Sequence, residues 1–167
     1  MKVFLLGLPG SGKTTLGKQL AERLQRPFID LDSEIEKDSG CAIQELFSRH
    51  GEEYFRDLES RILESRCKEN SDFVMATGGG TPCFRNNLSL ILRSGRSLFL
   101  DVPVETIASR IHTPDLSERP LLASLEPAAL ISKLRSMRSE RVNYYSKADV
   151  VLTGSDITVK SLLENIA

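Results

Sequence analysis

The sequence has no excess of either charge, no long apolar run and few of the residues that build metal or nucleophile sites. Its 22 Lys plus Arg stand against 23 Asp plus Glu, a formal charge of −1. There is therefore no global field to attract nucleic acid or an anionic membrane, and any basic site must be local. No apolar stretch approaches the length of a membrane-spanning helix. Three cysteines, Cys41, Cys67 and Cys83, are odd in number and lack paired metal-ligand spacing. They read as reduced structural thiols of a cytosolic protein. His50 and His112 have no visible partner, which argues against catalytic or metal roles, and no Ser-His-Asp arrangement is visible. Internal repeats, low-complexity tracts and linkers are absent as well.

What remains is the composition of one domain: 167 residues, 40% of them hydrophobic, enough for a substantial core. The expected unit is therefore a single domain over residues 1–167. A functional loop begins at Gly7, which leaves no room for a cleavable leader, so the expected location is the cytoplasm. A monomer is the default expectation.

That loop carries the strongest signal. Gly7 to Thr14 read Gly-Leu-Pro-Gly-Ser-Gly-Lys-Thr, a complete G-x-x-x-x-G-K-[ST] phosphate loop. Its flanks suit it: residues 3–6 are an apolar run fit for a buried strand, and Leu16, Leu20 and Leu24 recur at helical spacing after it. Glycines at 7, 10 and 12 let backbone N–H groups close on phosphate oxygens, and the following helix points its positive end at the same anion. Gly10, Ser11, Gly12, Lys13, Thr14 and Thr15 are the expected nucleotide ligands. Lys13 brings a full charge to the outer phosphates, and the Thr14 hydroxyl is placed to ligate Mg²⁺.

Further apolar runs at residues 27–31, 73–76, 97–102 and 148–152 alternate with helical patterns, which predicts an α/β fold with a parallel sheet. One helix is expected to begin near Gly51 with Phe55, Leu58 and Ile62 on one face. Another follows Pro127, and a last one uses Val159, Leu162, Leu163 and Ile166. Pro103 and Pro127 suit first helical turns, while Gly51 and Gly95 punctuate helix ends. Residues 112–126 are poorer in pattern and interrupted by prolines, the mark of a candidate lid.

Two further stretches sit at strand ends, where an open parallel sheet gathers its ligand contacts. In the first, Asp30 and Asp32 are two residues apart, and a continued extended backbone would aim both alike. One can support a Mg²⁺ shell through water and the other can take a proton or hydrogen bond from an acceptor hydroxyl. The alternative is that Asp32 or Ser33 caps a helix beginning near Ser33. In the second, Gly78, Gly79 and Gly80 allow a ligand to approach the main chain. Arg56, Arg119 and Arg141 can hold a carboxylate or neutralise a transferring phosphoryl group, and Arg110 can stack on a base; Arg66, Arg93 and Arg135 have no comparable context.

The phosphate loop, Phe28-Ile29-Asp30-Leu31-Asp32 with Ile35-Glu36, Gly51-Glu52 with Phe55-Arg56-Asp57-Leu58-Glu59, Thr77 to Gly80, Arg119-Pro120-Leu121-Leu122, and Arg141 with Tyr144-Tyr145 together resemble the shikimate kinase family. The match runs in order through nearly the whole chain. It implies a P-loop kinase fold like that of the nucleoside-monophosphate kinases, with a five-stranded parallel sheet flanked by helices, an acceptor-binding segment over residues 32–60 and a lid over 112–126. It also implies ATP- and Mg²⁺-dependent phosphorylation of the 3-hydroxyl of shikimate. Residue by residue, the resemblance implies acceptor contacts at Asp32, Arg56, Gly79 with its neighbours Gly78 and Gly80, and Arg141. It implies phosphate stabilisation by Lys13 and Arg119, Mg²⁺ ligation by Thr14 with Asp30 in the outer shell, and adenine contact by Arg110. The later adenine-contacting segment, near residues 154–158, varies too much for one residue to be named. Lys13, Asp32 and Arg119 are the expected catalytic set. The rivals are a gluconate or nucleoside-monophosphate kinase of the same architecture and a nucleotide-controlled switch. An Asn-Lys-x-Asp motif and an Asp-x-x-Gly switch motif are both absent, which weighs against the switch.

Overall fold

The computed structural model describes residues 1–111 and 120–167. Five parallel strands form one sheet: β1 (Lys2–Leu6), β2 (Phe28–Asp30), β3 (Val74–Ala76), β4 (Gly95–Asp101) and β5 (Val150–Thr153), in the order β2-β3-β1-β4-β5. These are the five apolar runs of the sequence, with their ends displaced by one or two residues. Central β1 sets Leu5 opposite Ala76 on one side and Leu98 on the other.

Successive side chains of a strand face opposite sides, and here both sides are covered. Val3, Leu5, Val74, Leu98 and Leu100 pack with Leu20 and Ala21 of α1 (Lys13–Leu24) and with Leu162 and Ile166 of α8 (Val159–Ile166). Phe4, Leu6, Met75 and Phe99 face the other layer. That layer draws on α3 (Ile43–Lys68), α4 (Asn87–Ser94), α5 (Val104–Ile111) and α7 (Pro127–Tyr145). Double coverage explains why the strands read as continuous apolar runs rather than alternating ones. Pro127 lies in the first turn of α7, the Pro103 carbonyl accepts the Ile107 N–H at 3.1 Å at the start of α5, and α4 ends against Gly95.

Three sequence expectations fall on described elements, and the first of them is corrected. First, β2 ends at Asp30 and α2 (Leu31–Ser39) begins at once, so Asp30 and Asp32 do not share an extended backbone. Asp30 is itself the cap, accepting the Ser33 N–H at 3.2 Å, and Asp32 lies in the first helical turn, where a carboxylate is favoured by the helix dipole. Second, the helix expected from Gly51 is found: helical geometry breaks there at φ 82 and ψ 174, a backbone conformation that favours glycine, so α3 is two helical stretches that meet at Gly51, the first of them starting at Ile43. Third, within the candidate lid residues 120–123 form α6 (Pro120–Ala123), and Leu122, Ala123 and Leu125 pack against the core. Residues 112–119, which include His112 and Arg119, lie outside the described residues.

Arg66, for which the sequence offered no context, joins α2 to α3 by pairing with Glu34 and Glu69. Partial burial alone would raise the Glu34 pKa, but its bonds to Arg66 and Lys37 outweigh that and hold it below the usual carboxylate range. Arg61 adds a second tie, to Asp38 at 3.0 Å.

Candidate active site

The turn after β1 is built around an anion. Gly12 has φ 96 and sits immediately before α1, so the helix N-terminus can open directly into the loop, and Gly10 has φ 80. Lys13 is buried, and its ammonium donates to the carbonyls of Gly7 at 2.6 Å and Leu8 at 2.9 Å. The Ser11 hydroxyl oxygen is buried and has no hydrogen-bond partner among the described residues, a vacancy that a phosphate oxygen would satisfy. Thr14 donates its hydroxyl to Asp30 Oδ2 at 3.0 Å, which brings a hydroxyl and a carboxylate together at the mouth of the loop. Thr15 is exposed on the first turn of α1. Arg110 on α5 donates to the Gly10 carbonyl at 3.4 Å and to the Ser155 carbonyl at 3.3 Å, joining the loop to the segment after β5. The oxygen donors at Thr14 and Asp30 suit a hard cation such as Mg²⁺, held beside a polyphosphate.

The second glycine turn follows β3, next to β1, and three consecutive glycines each face a different side chain. A Cβ on Gly78 would lie 3.0 Å from Asp32 Oδ1, one on Gly79 2.9 Å from Arg141 Nη1, and one on Gly80 2.6 Å from Arg56 Nη2. Gly79 also faces Pro9 Cδ of the phosphate loop, at 3.0 Å from the same imagined carbon. The turn therefore brings the Asp32 carboxylate, two guanidinium groups and the phosphate loop together, with the Glu59 carboxylate behind Gly78 at 3.3 Å from the imagined carbon. No other residue type leaves that room. The fold thus gathers Asp32, Arg56, Gly78, Gly79, Gly80 and Arg141 around one turn and Lys13, Thr14 and Asp30 around its neighbour.

Residues 9–167 match the family model described as Shikimate kinase. The chain belongs to the shikimate kinase family. Shikimate kinase of Bacteroides fragilis is 37% identical over 164 residues, covering 98% of this chain and 90% of that protein. Among solved structures, shikimate kinase from Bacteroides thetaiotaomicron superposes with a TM-score of 0.91 at 33% identity, covering 98% of this chain and 94% of that one. Shikimate kinase from Acinetobacter baumannii in complex with shikimate gives a TM-score of 0.85 at 33% identity, covering 99% and 89%. The enzyme is accordingly a phosphotransferase with the P-loop, nucleoside-monophosphate-kinase-like fold. It transfers the terminal phosphoryl group of ATP to the 3-hydroxyl of shikimate, giving shikimate 3-phosphate and ADP, a step of aromatic amino-acid biosynthesis.

Sequence reasoning missed several residues of this kinase that hold the site in shape. Glu59 is 1% exposed and lies on the buried stripe of α3 one turn after Arg56. Its Oε1 accepts from Arg56 Nη1 at 2.9 Å and its Oε2 from the Thr81 hydroxyl at 2.7 Å. A carboxylate at the apolar positions of Phe55, Leu58 and Ile62 was the available signal, since an acid is rarely buried unless paired. The Arg56 guanidinium stacks on Phe84, 3.8 Å from the ring centre. Its Nε lies 3.5 Å from Glu52 Oε1 but makes no hydrogen bond among the described residues. Tyr145, fully buried one turn beyond Arg141, donates its hydroxyl to the Gly79 carbonyl. Burial pushes its phenol up to about 12, so it stays a donor throughout the neutral range.

The thiols of Cys67 and Cys83 are raised chiefly by burial, which makes them poor nucleophiles. Two surface grooves lie apart from the site, one over Asp101, Glu105, Arg135 and Arg138 and one between α2 and α3. In both, the acids and bases are already paired with each other.

Proposed function

We propose that the two glycine turns form one crevice in which the phosphate loop presents ATP and the turn after β3 presents shikimate, with catalysis resting on alignment and charge stabilisation. The reading is supported above all by the three faces of Gly78, Gly79 and Gly80, which put Asp32, Arg141 and Arg56 around a single small space beside Pro9. Shikimate offers one carboxylate and several hydroxyls. Two guanidinium groups and one carboxylate are the complement of that molecule, and a nucleotide acceptor would instead require a base pocket.

In this reading Arg56 and Arg141 clamp the acceptor's carboxylate, and the main chain at Gly79 adds a close polar contact. Asp32 orients the 3-hydroxyl and accepts its proton as the oxygen attacks the terminal phosphorus in line. Lys13 carries charge on the transferring group and on the departing phosphates, and Arg119 joins it from the lid segment, residues 112–126, as that segment closes and excludes water. Thr14 and Asp30 are the residues that would hold Mg²⁺, Thr14 as its ligand and Asp30 in the outer shell. When bound, the ion neutralises the phosphate oxygens. Arg110 lies against adenine. Residues 32–60 act as the acceptor-binding segment, in a single catalytic domain that works as a monomer in the cytoplasm without nucleic acid or membrane. No helix among the described residues is long and apolar enough to cross a membrane.

The carboxylate clamp is tested by Arg56→Ala. Loss of a charge-assisted, bidentate contact is expected to raise KM for shikimate about tenfold or more and to leave KM for ATP unchanged. Steady-state kinetics with each substrate varied in turn measures both, and an unchanged KM for shikimate rejects the clamp.

A further inference from the structure

The structure assigns Thr81 as a positioning residue for acceptor binding: acting through the buried Glu59 carboxylate, its hydroxyl fixes the Arg56 guanidinium in the orientation that receives shikimate. The inference rests on the reading of Arg56 as a ligand of the acceptor's carboxylate, and it adds a residue that does not touch the substrate itself.

Four observations carry it. Thr81 is fully buried and its hydroxyl donates to Glu59 Oε2 at 2.7 Å. Glu59 is buried too, and its other oxygen accepts from Arg56 Nη1 at 2.9 Å, so the carboxylate is shared between a turn and a helix. Thr81 is itself held in place. Its N–H donates to the Gly78 carbonyl at 3.1 Å, and its carbonyl accepts from Asn87 Nδ2 at 3.0 Å, while Asn87 Oδ1 accepts the Ser60 hydroxyl at 2.7 Å. Finally, Phe84 covers one face of the guanidinium at 3.8 Å and Gly80 lies close beside Nη2, so the direction still open to the group is the one that the Glu59 contact at Nη1 sets.

An ionised carboxylate buried between two donors holds its geometry only while both are present. With the threonine hydroxyl removed, Glu59 Oε2 loses its hydroxyl donor, the carboxylate can turn about its own axis, and Arg56 Nη1 turns with it. The ion pair survives but its direction does not. Threonine is suited to the task because its methyl group fills buried space and its β-branch restricts rotation about χ1, so the hydroxyl is already aimed. Nothing in this chain of bonds reaches the phosphate loop, so the nucleotide side should not respond.

The test compares Thr81→Val, which keeps shape and deletes the hydroxyl, with Thr81→Ser, which keeps the hydroxyl, and with Arg56→Ala. KM for shikimate in Thr81→Val is expected to rise about tenfold, with KM for ATP unchanged, and Thr81→Ser is expected to return it close to the wild-type value. In Glu59→Gln the further change Thr81→Val is expected to add little, because the two act on one contact. An unchanged KM for shikimate in Thr81→Val, a parallel rise in KM for ATP, failure of serine to rescue, or full additivity with Glu59→Gln would each overturn the assignment. Thr81→Ala is held to the same readings where valine does not fold, and failure of both variants to fold places the hydroxyl in stability and also overturns it. An Arg56→Ala enzyme with normal KM for shikimate would instead remove the clamp on which the assignment rests, so the two failures are told apart.

Discussion

Lys13→Ala is expected to lower kcat for shikimate phosphorylation by on the order of 10²-fold or more, the scale on which removal of one preorganised charge contact appears. The ammonium is buried and already fixed by the Gly7 and Leu8 carbonyls, at 2.6 and 2.9 Å. It therefore needs little reorganisation as charge moves toward the bridging and leaving oxygens, and such preorganisation accelerates the chemical step more than it tightens ground-state binding. Alanine removes the charge and also releases two loop carbonyls, so KM for ATP should rise as well, by less than kcat falls. Single-turnover measurement at saturating ATP separates the two effects. Turnover at the wild-type rate would contradict the role given to Lys13.

Asp32→Asn is the second large effect. A general base contributes typically 10²–10⁴-fold, so kcat should fall by about 10²-fold at least, while KM for ATP stays near its wild-type value. Asparagine keeps the size of the side chain and its hydrogen bonding but cannot take the proton. Position matters here: Asp32 occupies the first turn of α2, and its Oδ1 would lie 3.0 Å from a Cβ on Gly78, so the carboxylate faces the turn where Arg56 and Arg141 also converge. Rapid turnover by Asp32→Asn would exclude an obligatory base there and leave the residue an orienting contact.

The phosphate loop and the five strands were legible in the sequence because their signals are local: a spaced motif in the first case, apolar runs bounded by turns in the second. The order of the strands carried no such local signal and is seen only in the structure. The boundary between β2 and α2 was misplaced for a physical reason. An extended run ending in Asp30-Leu31-Asp32 is compatible with strand or helix, and what decides it is the Asp30 side chain closing on the Ser33 N–H at 3.2 Å. Gly51 was read as a helix end, and in the backbone it is one, since helical geometry breaks there, yet the chain resumes the helix without a loop.

The site divides in the same way. Arg56, Arg141 and Asp32 could be named from sequence, but their meeting at Gly78, Gly79 and Gly80 depends on contacts between elements far apart in the chain. Thr81 and Asn87 carried no signal of their own, and Tyr145 entered only within a motif of the resemblance, with no role attached: the value of each lies in what it is bonded to across the fold. Glu59 was missed too, although as an acid on an apolar stripe it left a signal that could have been read. Arg66 and Arg135, which had no context in the sequence, pair with acids of the neighbouring helix, Arg66 with Glu34 of α2 and the exposed Arg135 with Glu105 of α5.

The claim that this crevice joins ATP to a hydroxylated carboxylic acid is tested most directly by acceptor-dependent ADP release, measured with shikimate, gluconate and nucleoside monophosphates under the same conditions with Mg²⁺. The account predicts rapid ADP formation with shikimate and background rates with the others. Turnover of gluconate or a nucleoside monophosphate with none of shikimate would contradict it.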